Sequence, residues 1–158
     1  MHNLLPMVRS AAFGAAVFAG SSALAQTATP TQNLSFGAFA AGAGGSVTVS
    51  PQSTRTATGD VILMTGGQFS QGGAASFDLT GSPNATYQIT LPADGQVTLT
   101  GSQGGSMTLS SFTSSPSGQG QLSSVGTQTL YVGATIAIGS NQAPGTYSGT
   151  INVTVVFQ

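Results

Sequence analysis

Beyond residue 25 the chain offers little that can do chemistry: Asp60, Asp78 and Asp94, a single cation in Arg55, and no histidine, cysteine, lysine, glutamate or tryptophan. Paired carboxylates can act as general acid and base, and a cluster of three can hold calcium. Asp78 takes an outward strand position, however, and Asp60 and Asp94 each stand beside a glycine in what reads as a turn, so all three are expected to be solvated acids. Arg55 is expected to clasp Asp60 across the stretch "RTATGD" as a modest structural ion pair. The glycine clusters at residues 42–45 and 101–105 lack the spacing of phosphate-binding loops, and "LPADG" reads as a strand end and turn.

General acid–base, covalent and zinc chemistry draw mostly on the residue types missing here. No enzymatic activity is expected, and no catalytic residue, cofactor or metal. A hydrolase built on the three aspartates is the last of the readings. One arginine cannot displace the counterions of a phosphate backbone, so no nucleic-acid partner is expected, and the same poverty excludes an electrostatic membrane-surface mode.

The elements that must position these few residues are strands. "MHNLLPMVRSAAFGAAVFAGSSALAQ" has a basic start, a short apolar core and Ala23-Leu24-Ala25 before Gln26, the pattern of a signal peptide cleaved after residue 25. The core is too short to span a bilayer, and no later run could. The expected organisation is a signal peptide over 1–25, a short polar extension over 26–33 and one domain over 34–158. Export through the Sec pathway follows, to the periplasm, the cell surface or the medium.

Within the domain, alternation places Val47 with Val49, Phe77 with Leu79, Tyr87 with Ile89 and Leu91, Val97 with Leu99, and Met107 with Leu109 on single faces. "TLYVGATIAI" aligns Leu130, Val132, Ala134, Ile136 and Ile138, and the terminal "GTYSGTINVTVVFQ" aligns Tyr147, Gly149, Ile151, Val153, Val155 and Phe157. The run Val61 to Met64 is apolar on both parities and predicts a strand covered on both sides. Turn-forming stretches separate these runs, and no helical period stands out. The pattern predicts an all-β, antiparallel sandwich or barrel, with a soluble sandwich favoured over a small membrane barrel for want of aromatic girdles and a charged lumen.

The series "LSFGAFAAGAGGSVTVSP", "RTATGDVIL", "FDLTG", "TYQITLP", "MTLSSF", "YVGATIAI" and "PGTYSGTINVTVVF" resembles the bacterial domain of unknown function 4402 over nearly all of the mature chain. In length and terminal strand that family is in turn similar to spore-coat-U-like proteins and to the pilins of chaperone–usher systems. The resemblance implies a pilin-like, incomplete immunoglobulin-like β-sandwich in a Gram-negative bacterium. Its missing strand would come from a periplasmic chaperone and then from the next subunit, delivered at an outer-membrane usher. Carried onto this sequence, chaperone or subunit contact falls on Val153, Val155 and Phe157 at the groove edge. The donor role falls on the segment Thr27 to Phe36, with Leu34 and Phe36 as its apolar residues.

Two readings follow. One is a non-enzymatic structural subunit of a surface fibre or coat, partnered by further copies of itself or related subunits. The other is a self-complete sandwich acting as a monomeric, adhesin-like module, whose loops "TGGQFSQGGAAS" or "FTSSPSGQGQ" recognise a glycan or a protein.

Overall fold

The computed structural model describes residues 25–158, so the expected signal peptide, save its last residue, lies outside the described residues. Eleven strands follow in order: β1 (Thr27–Gln32), β2 (Phe39–Val49), β3 (Arg55–Leu63), β4 (Ala75–Thr80), β5 (Thr86–Thr90), β6 (Val97–Gly101), β7 (Ser106–Ser115), β8 (Gln119–Gln121), β9 (Thr127–Ile138), β10 (Tyr147–Ser148) and β11 (Thr154–Phe157). They form an all-β, antiparallel fold in which a curled, half-barrel sheet of eight strands is accompanied by a small sheet of three.

β9 organises the large sheet. One edge pairs first with β4, over Thr127 to Thr80 and onward to Val132, and then with β2, over Ala134 to Ile138; the opposite edge pairs with β7. Gly133 sits where the first partner hands over to the second. A side chain there would strike the Val49 carbonyl, so only glycine lets the end of β2 approach so closely. Beyond these strands the sheet continues through β1 beside β4, β3 beside β2, and β6 then β10 beside β7. The small sheet has β5 at its centre, flanked by β11 and β8.

The inward parity predicted from the sequence is the buried one: Val47, Val49, Leu79, Leu109, Leu130, Val132, Ala134 and Ile136 are all sealed from solvent. Both sheets contribute to one core, the small sheet through Tyr87, Ile89 and Val155. Outward positions carry hydroxyls that pair across strands instead of charges. Thr27 and Thr80 approach to 2.6 Å, Ser46 and Thr58 to 2.7 Å, Thr48 and Thr135 to 2.8 Å, and Thr31 and Ser76 to 2.8 Å.

Two expectations are corrected. The run Val61 to Met64 is not covered on both sides: β3 pairs with β2 alone, and Ile62 is 68% exposed. Apolarity on both parities here marks an edge strand with one outward isoleucine, not a central one. The terminal alternation is likewise not one strand. β10 pairs with β6 in the large sheet and β11 with β5 in the small one, while residues 149–153 cross between them outside any strand. Ile151 and Val153 stay buried through the crossing, so the apolar parity survives the change of sheet.

Two aspartates stabilise bulges. The Ala43 N–H donates to Asp60 Oδ2 at 2.9 Å, where β2 is irregular between Ala41 and Gly44. The Ser111 N–H donates to Asp94 Oδ1 at 2.6 Å, where β7 is irregular between Ser110 and Thr113, and Ser111 itself is left-handed at φ 51°. A bulge leaves an amide without a ladder partner, and a carboxylate supplies one. Asp78 Oδ1 accepts from Thr129 Oγ1 at 3.0 Å, across two strands whose backbones already pair. Asp60→Ala and Asp94→Ala should therefore each lower unfolding stability by about 1 kcal/mol in urea melts, and Asp78→Ala by less than about 0.5 kcal/mol.

Tyr87 is fully buried against Gly120, its ring tilted on that of Phe157 with centroids 5.9 Å apart, and its hydroxyl has no hydrogen-bond partner among the described residues. Burial pushes the Tyr87 phenol above its ordinary value of 10.0. The folded state thus keeps this proton to higher pH than the unfolded chain does. The stability involved is intact below pH ~10 and is lost as pH climbs through the folded value. Tyr87→Phe should raise stability by roughly 1 kcal/mol, because it removes an unsatisfied buried group, and should flatten the alkaline decline; thermal melts between neutral pH and pH ~11 measure both.

Candidate functional site

A groove of about 750 Å³ lies over the inner face of the large sheet. Its floor is apolar: Leu99 from β6, Met107 and Leu109 from β7, Ile136 from β9, and Ile151 from the crossing segment. One bank is the backbone of residues 33–41, and the other that of residues 142–149. No lining residue is an aspartate, glutamate, lysine, arginine or histidine. The site therefore carries no formal side-chain charge, and what it can offer is apolar surface, backbone hydrogen-bonding groups and neutral polar side chains such as Asn33, Gln142 and Tyr147.

Both banks have an edge free of ladder pairing. β2 pairs with β3 along its whole length but with β9 only from Gly45 onward, which leaves Phe39 to Ala41 paired on one side. β10 pairs with β6 and β11 with β5, each again on one side. An unpaired edge is a template for another strand; no charged side chain stands on either bank to blunt it, and only the shortness of the two edges limits it.

Each bank is fastened from behind. On the first, Ser35 and Gly73 exchange backbone hydrogen bonds at 2.9 and 2.7 Å, and the Ala38 N–H donates to the Ser70 carbonyl at 2.8 Å. On the second, the Ser102 N–H donates to the Thr146 carbonyl at 2.8 Å, and the Thr146 N–H returns to Ser102 Oγ at 3.1 Å. The Tyr147 hydroxyl accepts from Gln142 Nε2 at 2.8 Å and donates to the Ala143 carbonyl at 2.6 Å, which closes the loop around Pro144 into a compact strap.

Arg55 does not pair with Asp60. "RTATGD" is no turn but the first two thirds of β3, and residues five apart on a strand point to opposite faces. The Arg55 guanidinium reaches three carbonyls instead, donating from one terminal nitrogen to Phe36 at 3.0 Å and Ala38 at 3.2 Å, and from the other to Met64 at 3.1 Å. A cation expected in an ion pair with Asp60 is thus half-buried behind the first bank.

The residues singled out in the sequence fall partly on this site. Leu34 and Phe36 line the groove, Phe36 being only 7% exposed, and the polar stretch before them is β1, paired with β4 of the same chain. Val153, Val155 and Phe157 do not line it; the first two enter the core and Phe157 leans on Tyr87, with the outer edge of β11 unpaired. The second bank, residues 142–149, was legible only as the turn-rich stretch "GSNQAPG" followed by Thr146 and the strand start, so nothing in its composition marked it as a groove wall. The floor residues read correctly as inward-facing; that no strand covers them is a tertiary fact. Among the described residues, the aspartates form no group able to hold a metal ion, and no helix is long and apolar enough to cross a membrane.

Comparison with curated proteins and with solved structures gave no match. A family model does match, over residues 26–157, which takes in both sheets, both banks and the floor of the groove. The chain belongs to the family described as "Domain of unknown function (DUF4402)".

Proposed function

We propose that this chain is a non-enzymatic, exported structural subunit of a bacterial surface fibre or coat, and that its groove accepts a β-strand from another chain. The observation that carries the reading is the groove: an uncharged apolar floor between two backbone segments, each with a ladder edge left open. A strand laid there gains main-chain hydrogen bonds at its edges and seats alternate side chains against the half-buried apolar residues of the lining, Phe39 and Leu99 among them. In this reading the two sheets are an immunoglobulin-like sandwich lacking one strand, which a periplasmic chaperone supplies first and a neighbouring subunit afterwards, with an usher ordering the exchange.

Residues 27–36 are the proposed donor within this chain. β1 is exposed along most of its length, so leaving β4 uncovers little apolar surface until Leu34 and Phe36 are reached. Laid in the groove of the next copy, such a segment makes a head-to-tail contact, and a head-to-tail contact that does not close gives a filament. Val153, Val155 and Phe157 are the proposed chaperone contact, beside the open edge of β11.

A second reading is a monomeric binding module. Phe69, 40% exposed on the loop next to groove residue Ser70, is the observation in its favour, because a protruding ring is what a glycan or apolar ligand would stack on.

Material sheared from the surface of the native host, probed with antibody against residues 26–158, separates the two. A ladder in detergent that collapses to one band only on boiling is expected of strand exchange, while a single monomer band without boiling rules the fibre reading out. Leu99→Asp, which charges the half-buried groove floor, should remove the ladder; Ile62→Asp, on the exposed outer edge, should leave it intact.

A further inference from the structure

The first bank of the groove has few ladder bonds of its own. Regular β2–β3 pairing begins at Phe39, and residues 33–38 are tied to the rest of the sheet by the isolated bridge of Ser35 with Gly73 and by two single backbone bonds at Ala38, whose N–H donates to the Ser70 carbonyl at 2.8 Å and whose carbonyl accepts from the Met64 N–H at 3.0 Å. Between that bridge and β2 the chain turns at Gly37, whose φ of +68° swings the Phe36 and Ala38 carbonyls onto the same guanidinium. A side chain at residue 37 would collide with that Arg55 nitrogen. On the other side Gly72, at φ +70°, lies so close that a Cβ there would come within 2.6 Å of the Gly37 nitrogen and 2.8 Å of the Phe36 carbonyl carbon. The bank is therefore gripped between Arg55 and the 70–73 loop.

We propose that Arg55 is the positioning residue of the groove. Its guanidinium spans two chain segments, taking Phe36 and Ala38 from the bank and Met64 from the end of β3, and so fixes how far the bank stands from the floor. A planar fork of donors can meet three carbonyls in one plane, whereas an ammonium is a compact point charge on a flexible stem. The charge finds carbonyls rather than a carboxylate, and serves by shape and hydrogen bonding. The consequence for strand capture rests on the reading of the groove given above; the positioning role itself does not.

The test is residue-resolved amide hydrogen exchange on the purified chain of residues 26–158, compared with Arg55→Gln, Arg55→Lys and the control Ser46→Ala, which removes a hydroxyl pair elsewhere between β2 and β3. Arg55→Gln should speed exchange at the amides of Ser35, Ala38 and Met64 at least tenfold while the amides of β7 and β9 keep their protection, and Arg55→Lys should not restore the bank. Uniform acceleration through the whole domain, unchanged exchange at the bank, or full rescue by lysine would each overturn the proposal. Should Arg55→Gln fail to fold, Arg55→Met, which keeps an apolar stem and removes every donor, must give the same regional pattern for the proposal to stand. No partner enters this measurement, so a missing fibre ladder sinks the strand-acceptor reading without touching the outcome here.

Discussion

The register of β9 is the constraint on which the rest of the structure depends. One strand carries five inward apolar residues and serves three partners, β4 and β2 in succession on one edge and β7 on the other. Because side chains alternate with a period of two, a slip of one residue against any partner would turn Leu130, Val132, Ala134, Ile136 and Ile138 toward water together. The handover at Gly133 also bends the sheet's edge, since β4 and β2 cannot both lie flat along a single line. The curl of the large sheet, and with it the concave face that becomes the groove floor, follows from that arrangement.

Near absence of charge is the second organising condition, and it changes what polar residues do. With one arginine and three aspartates beyond residue 25, ion pairs cannot decorate the surface; hydroxyl pairs across strands take that place. The ionisable side chains that remain are used on structure. Asp60 and Asp94 each complete a bulge, and Arg55 fastens a bank. In each case the charge meets the backbone, where a carboxylate or guanidinium gives a stronger hydrogen bond than a neutral group would.

The groove unites these two conditions. Its floor is the inner face of β9, β7 and β6, where Leu99 is half-buried and Met107, Leu109 and Ile136 are sealed from solvent, and its banks are segments at which the ladder stops: β2 before β9 begins to pair with it, and the chain after β9 has ended. In the proposed strand-acceptor role, the apolar floor and open backbone edges would receive a strand, and the neutral lining would call for uncharged side chains on it. A charged side chain pointed at this floor would be buried without a partner.

Much of this was legible in the sequence, and the boundary is physical. Alternation determined the all-β character, the inward face of nearly every strand and the identity of the core, because period-two burial is written locally. Composition determined in the same direct way that few side chains carry charge. Pairing was not legible, since it joins residues far apart: Val61 to Met64 looked doubly covered and lies at an edge, and the terminal run looked like one strand and divides between two sheets. Arg55 looked tied to Asp60 by nearness along the chain, yet it found Phe36, Ala38 and Met64. Only the tertiary structure could decide these, because a hydrogen-bond partner is chosen by which backbone arrives beside a side chain once the sheet has curled, and the sequence places no such neighbour next to it.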